Sequence, residues 1–381
     1  MIALVPHCGY LSETSRMLDL YRALRRRGAQ VRIATHGGTH ENQLRVPCDI
    51  IEPRMDHERC ASFVRNGIGL GPPDQSMYGD DELREHALAE AAYFREHGVT
   101  VAVSGFALST LLSTRLAGIK LVAEHAGSWV PPVLEPRVME VTGYCAGFNR
   151  VAAELGVPGI RSLPELLCGD LTLVTEVPQV LGLPADELGD GFRYTGPLFA
   201  HLDLPVPERV SAFLDLPGPV VYVALTSAPP DLIRRIVGQL RTRVLVAATV
   251  HDLSDLAGDD VLVEGVLPSH LIMPRVDLAI TTGGQGSVQT AMASGTPLIA
   301  VPLQPEQQHN VGLLQRLGAA ELIDLDQVGP QADKLLASES HRAAARLIKS
   351  WYDQVDGPDL AAEAIMEFAG EKYVAPPADP S

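Results

Sequence analysis

Apolar residues fall in short unbroken runs, separated by stretches in which they recur every three or four positions. The first run, residues 2–5, predicts a buried strand. Residues 12–27 follow with Leu18, Tyr21 and Leu24 at helical spacing, and Gly28 is placed to end that helix. Residues 31–34 predict a second strand, so the chain opens β-α-β, the building unit of a parallel sheet. The same alternation predicts a helix at 82–97, a strand at 99–103, a helix at 108–117 and a strand at 120–123. Residues 36–79, rich in Gly, Pro and polar side chains, predict a long irregular segment.

The texture changes at residues 196–219, which hold five prolines and read as an interdomain linker. A second alternating series follows: strands at 220–225, 243–247, 262–263, 277–280 and 297–301, with helices at 231–240, 285–294 and 306–317. Helical stretches near 340–355 and 359–369 close the series, and residues 375–381 read as a frayed Pro/Ala tail. The fold class is therefore α/β, with two doubly wound, Rossmann-like domains. The predicted boundaries are 1–200 for the first domain, 201–218 for the linker, 219–355 for the second domain and 372–381 for the tail. Ligands of open parallel sheets bind beyond the carboxyl ends of the strands. A two-domain version places the site in the cleft between the domains.

Charge narrows the partners. A formal net charge of −17 over 381 residues argues against nucleic acid, which is held by clustered Lys and Arg, and against anionic membranes. The one basic cluster, Arg25, Arg26 and Arg27, sits at a helix end, where it complements the helix dipole. Five scattered cysteines without a CxxC pair read as reduced thiols. No secretory leader and no apolar run of membrane-spanning length is visible, so a cytoplasmic location is expected. No clustered carboxylate or His/Cys set suggests a metal site.

The strongest chemical signal runs from Asp277 to Asn310. An apolar strand ends in Thr281 and Thr282; Gly283, Gly284 and Gly286 then permit a tight turn and a close backbone approach. The helix starting near Gln285 offers unpaired N–H groups and the positive end of its dipole, a cradle for phosphate to which Ser287 adds a hydroxyl. The lysine of a P-loop is missing, so ATP hydrolysis is not indicated, and the spacing is not that of a dinucleotide fingerprint. With its neighbours the segment resembles the donor-binding motif of GT-B glycosyltransferases that act on natural products and glycolipids. Gly283-Gly284, Gly286-Ser287 and Gly295-Thr296-Pro297 match the family's glycine turns. Glu306, Gln307 and Asn310 match its sugar-contacting element, and Val266-Leu267-Pro268 sits where that family contacts the nucleobase. The resemblance implies a GT-B fold, with a C-terminal helix at 356–371 packing back on the first domain. It implies a UDP- or dTDP-linked sugar as substrate, no separate cofactor, a small-molecule acceptor, and inverting transfer without a metal. A homodimer is compatible with it.

The resemblance also exposes departures. The family's His before the glycine pair is Thr282 here, its catalytic His position holds Tyr10, and the Asp that partners that His is replaced by Gly105. Its Gly-Ser after the first strand of the second domain is Leu225-Thr226-Ser227, with Thr226 as the remaining donor-side hydroxyl. Candidate bases lie past two strand ends: His7 and Glu13 in the first loop, and His125 after the strand at 120–123, with Glu124 beside it. His125 and His7 are the expected bases and Glu13 an orienting partner, although Glu13 also suits the first turn of a helix. Tyr10, Phe63, Tyr78 and Trp129 are expected to shape the acceptor pocket. Two other functions fit the same fold, a sugar-nucleotide epimerase and a catalytically silent partner of another enzyme.

Overall fold

The computed structural model describes residues 1–65, 78–125, 130, 133, 143–199, 201–226 and 228–370; the side chains at 63–65, 125, 143–145, 163 and 305 lie outside that description. The chain divides into two compact units, Met1–Leu198 joined by the chain from Val355 onward, and Phe199–Gln354.

In unit 1 the described strands form a seven-stranded sheet. They are β1 (Ile2–Leu4), β2 (Val31–Thr35), β3 (Cys48–Ile50), β4 (Val101–Ser104), β5 (Lys120–His125), β6 (Leu171–Val174) and β7 (Phe192–Tyr194), in the order β3-β2-β1-β4-β5-β6-β7. Every pairing is parallel, and Ile2 of β1 lies opposite both Val31 and Val101. Helices cover the sheet, so β1 is wholly apolar and wholly buried, as a strand covered on both faces must be. Unit 2 repeats the plan with six parallel strands in the order β10-β9-β8-β11-β12-β13. These are β8 (Val220–Ala224), β9 (Arg243–Ala247), β10 (Val261–Glu264), β11 (Leu278–Thr281), β12 (Leu298–Ala300) and β13 (Ala320–Leu322). Each sheet reverses its strand order once, between β1 and β4 and between β8 and β11. Those reversals are the switch points where doubly wound sheets bind ligands.

Two segments differ from the sequence expectation. The stretch 36–79, read as irregular, contains β3 and the helix His57–Arg65. Residues 201–218, read as linker, contain the helix Glu208–Asp215, whose Val210 and Phe213 are buried. Arg275 bonds Asp215 at 2.7 Å, so this helix belongs to unit 2. Its period is helical, but the flanking prolines hide it.

The helix Gly357–Ala369 returns to unit 1 and packs on Leu11–Arg26. Ala361, Ile365 and Met366 share one core with Met17, Leu20 and Leu24. Ile365 and Met366 each contribute about 1.5–3 kcal/mol by burial. Arg27 grips Asp359 with two bonds of 2.8 and 2.6 Å. The chain's departure from unit 1 and its return lie against each other. A Cβ on Gly357 would come within 2.0 Å of the Pro197 carbonyl oxygen.

Candidate functional site

The donor-loop candidates gather at the switch point of unit 2. β11 ends at Thr281, whose hydroxyl accepts the Gly283 N–H at 3.1 Å and starts the turn. Gly283 has φ +85°, and a Cβ there would meet Val311 Cγ2 at 2.6 Å, so position 283 requires glycine. Gly284 has ordinary φ and ψ (−63° and 148°) and nothing within 4 Å of a would-be Cβ, so its face is open to an approaching group. The helix Gln285–Ser294 starts here without a side-chain cap. Its first-turn N–H groups, among them those of Gly286 and Ser287, therefore lack intrahelical acceptors and favour an anion. Thr282 is buried beside them, and Thr226 is exposed just past β8, the strand that pairs with β11.

The sugar-element candidates stand on the next helix, Pro305–Arg316. The Asn310 amide donates to the Gly283 carbonyl at 3.1 Å and to Glu306 Oε1, tying this helix to the glycine turn. Gln307 uses its Oε1 to accept the Leu303 N–H at 2.8 Å, which leaves its amide N–H groups as the donating side. Val266 is 42% exposed while its neighbour Leu267 is buried. Glu306, Gln307, Asn310 and the loop thus form one connected group.

The first-loop candidates gather at the switch point of unit 1. Glu13, two residues into the helix Leu11–Arg26 as its first-turn reading expects, is 1% exposed. Its Oε1 accepts the Phe106 N–H at 2.9 Å and the His7 N–H at 3.1 Å. Gly105 makes room for it, since a Cβ on Gly105 would lie 3.1 Å from the Glu13 carboxyl carbon and 3.0 Å from the Glu124 carbonyl. The carboxylate that the resemblance expects from position 105 is thus replaced, in the same space, by one reaching from the first helix. Burial pushes the Glu13 carboxyl up to about 7; the Phe106 N–H, Arg16 and the His7 N–H oppose the rise, and Glu124 adds to it.

His7 is also buried, and burial holds its imidazole down at about 3. Its Nδ1 accepts the Gly9 N–H at 3.2 Å, so the neutral ring carries its proton on Nε2. Tyr10 precedes the helix and packs its ring 5.3 Å from His7 and 5.1 Å from Phe106. The backbone of His125 ends β5, but its side chain lies outside the described residues, as does that of Phe63 on the helix His57–Arg65; Trp129 lies wholly outside them.

Tyr78, expected to line the acceptor pocket, is 4% exposed and packs with Met55, Leu83 and Leu112 in a cluster that Tyr10 and Phe106 also touch. Its ring stands edge-on to His86, which stacks on His36 at 3.8 Å. Beneath them Glu90 accepts bonds from Ser109, Ser113 and His36 at 2.5, 2.5 and 3.2 Å. The aromatic type was legible in the sequence; its burial depends on this polar network from other elements. Among the described residues no group of three or more His, Cys, Asp or Glu could hold a metal ion, and no helix is long and apolar enough to cross a membrane.

Known proteins share this layout. Residues 266–342 match the glycosyltransferase family 28 C-terminal domain, a stretch that includes the glycine loop and the helix carrying Glu306, Gln307 and Asn310. A PGL/p-HBAD biosynthesis glycosyltransferase of Mycobacterium tuberculosis is 25% identical over 323 residues, 75% of this chain and 73% of its own. The vancomycin aglycone glucosyltransferase of Amycolatopsis orientalis is 23% identical over 96% of this chain and 97% of its own. Among solved structures, the Streptomyces sp. SF2575 glycosyltransferase SsfS6, complexed with thymidine diphosphate, superimposes with a TM-score of 0.64 at 18% identity, over 96% of this chain and 99% of that one. The fold and the family 28 segment define the class: a two-unit GT-B protein. The chain is a glycosyltransferase, similar to those of natural-product and antibiotic biosynthesis.

Proposed function

We propose that the protein transfers a sugar from a nucleotide diphosphate sugar to a small natural-product-like acceptor, with inversion at the anomeric carbon. The observation that carries this reading is the uncapped N-terminus of Gln285–Ser294, open at Gly284 and tied through Asn310 to Glu306. The backbone N–H groups there suit a diphosphate, and they stabilise the negative charge that grows as it departs. Glu306 and the Gln307 amide N–H groups are assigned to hydroxyls of the sugar, and the exposed Val266 to the nucleobase. Thr226 and Ser287 add hydroxyls on the donor side. A UDP- or dTDP-linked donor fits, and the thymidine diphosphate held by SsfS6 supports the second.

The acceptor's binding surface and the base that takes its proton are assigned to unit 1. The acceptor oxygen attacks the anomeric carbon, the bond from that carbon to the diphosphate breaks, and its electron pair leaves with the diphosphate. The acceptor proton passes to a base, and Glu13 is assigned that role. A carboxylate held near 7 is matched to proton transfer at neutral pH, whereas an imidazole held at about 3 is a weak base. Tyr10 and Phe106, packed together beside Glu13, are assigned to the acceptor's apolar face. The vancomycin aglycone glucosyltransferase glycosylates a natural-product aglycone, which supports an acceptor of that type.

Gly284→Val tests the donor assignment. A Cβ at this position meets nothing within 4 Å and the backbone is in an ordinary extended conformation, so the variant is expected to keep the fold while the approach is blocked. Calorimetry with uridine and thymidine diphosphates should show binding to the natural protein and at least a tenfold loss in the variant. Equal affinity in both proteins overturns the assignment.

A further inference from the structure

A buried carboxylate with no cation nearby stays protonated at neutral pH and cannot act as a base. Glu13 has a cation on its own helix: Arg16, three residues on and therefore on the same face. Arg16 is itself buried, and its Nε donates to Glu124 Oε1 at 2.9 Å. Glu124 is also buried, at the end of β5. A side chain at position 105 would press on the Glu13 carboxyl and on the Glu124 backbone carbonyl, so glycine there leaves room for Glu13 beside the end of β5. The guanidinium thus bonds one buried carboxylate, Glu124 on the strand, and acts on the other, Glu13 on its own helix, through its charge alone. The second oxygen of each, Glu13 Oε2 and Glu124 Oε2, has no hydrogen-bond partner among the described residues.

We infer that Arg16 and Glu124 act as a pair of positioning residues that set how readily Glu13 accepts a proton. The inference rests on the assignment of Glu13 as the base. The other described groups facing Glu13 carry no charge at neutral pH. His7 is held neutral by burial, the Cys8 thiol is pushed up to about 12, and the loop after β4 offers only the Phe106 N–H. The balance is thus between one cation and one competing anion. Arg16 alone would favour an ionised Glu13 with weak basicity. Glu124 draws the guanidinium toward itself and adds a like charge, which raises the proton affinity of Glu13. Burial pushes Glu124 up as well, and Arg16 opposes that rise. The arrangement explains why a buried Arg is present on the first helix: without it both acids would hold their protons.

The two charges predict opposite shifts. Glu124→Gln removes the competing anion and should lower the Glu13 midpoint. Arg16→Met removes the cation and should raise it. Each shift should be about one pH unit or more, the scale for a charge within a few ångströms. The readout is a carbon NMR titration of the full chain labelled at the glutamate carboxyl carbon, with the Glu13 resonance identified by its loss in Glu13→Gln. Arg16→Lys keeps the charge, so it should stay within a few tenths of the natural midpoint and serves if Arg16→Met does not fold. Opposite shifts in Glu124→Gln and Arg16→Met, with Arg16→Lys unmoved, support the inference. An unmoved midpoint in Glu124→Gln, or shifts of the same sign, overturns it. The base assignment is judged separately by the turnover of Glu13→Gln, so the two can fail independently.

Discussion

Replacing Glu13 by Gln should stabilise unit 1 at neutral pH while stopping turnover. Gln keeps an amide oxygen to accept the His7 and Phe106 N–H bonds, so the main change is the loss of an ionisable group in a buried place. In the folded chain the Glu13 carboxyl lies at about 7, against an ordinary value of 4.5. Below 4.5 both folded and unfolded chains hold the proton and burial of the acid costs nothing in charge. Between 4.5 and 7 the unfolded chain ionises first, so the natural protein loses stability as pH rises, and above 7 the loss is constant. At about 1.4 kcal/mol per pH unit the full difference is about 3 kcal/mol. For a unit of this size each kcal/mol moves the midpoint by about 2–4 °C. Calorimetric scans of the two proteins should show nearly equal unfolding of unit 1 at pH 4. At pH 8 the Glu13→Gln variant should unfold about 6–12 °C higher. Turnover with saturating donor should fall by about 10²–10⁴-fold. A gap that does not change between pH 4 and pH 8 would refute the argument, because a change in packing alone has no reason to follow that titration.

The remaining predictions concern the donor loop and the returning helix. Gly283→Ala should destabilise unit 2 by about 1–3 kcal/mol, through a positive φ and a 2.6 Å clash with Val311, measured by denaturant unfolding. Glu306→Gln keeps an acceptor for Asn310 but removes the charge; an intact nucleotide sugar should bind about tenfold or more weaker and the bare diphosphate no weaker, by calorimetry. Equal loss for both ligands would mean that Glu306 only supports its helix. Arg27→Ala removes two bonds to a partly exposed Asp359 and should cost about 1 kcal/mol, less at high salt, in thermal scans of unit 1.

The central strands and the glycine-rich turn with its helix were legible in the sequence because each is a local pattern. β1, β4, β8 and β11 are apolar runs buried on both faces, and the helix after Thr282 keeps its boundaries to the residue. The edge strands β3, β7 and β13 are three residues each and only partly buried, so Cys-Asp-Ile, Phe-Arg-Tyr and Ala-Glu-Leu give no strand signal. β6 is buried but carries Thr172 inside a run of only four residues, too short to stand out. Glu13 shows the deeper limit. An acid near the start of a helix reads as an exposed complement to the dipole, and only Gly105 and Phe106, far along the chain, make it a buried group. Arg16 and Glu124 could have been noticed as charges in apolar surroundings, but their pairing spans two elements. The burial of Tyr78 was hidden for the same reason, since His86, His36 and Glu90 decide its surroundings.

The junction of Gly357 with Pro197 also fixes the order in which the molecule can be finished. Unit 2 is one continuous stretch of chain and can fold as soon as it has left the ribosome. Unit 1 begins first and finishes last. Until residues 357–369 emerge, Met17, Leu20 and Leu24 lack the cover that Ala361, Ile365 and Met366 provide. Through the synthesis of the whole of Phe199–Gln354, the nascent chain therefore carries an apolar stripe of the kind chaperones bind. A stop codon near position 354 would leave that stripe open permanently while sparing the family 28 segment, yielding an intact second unit beside an aggregation-prone first one.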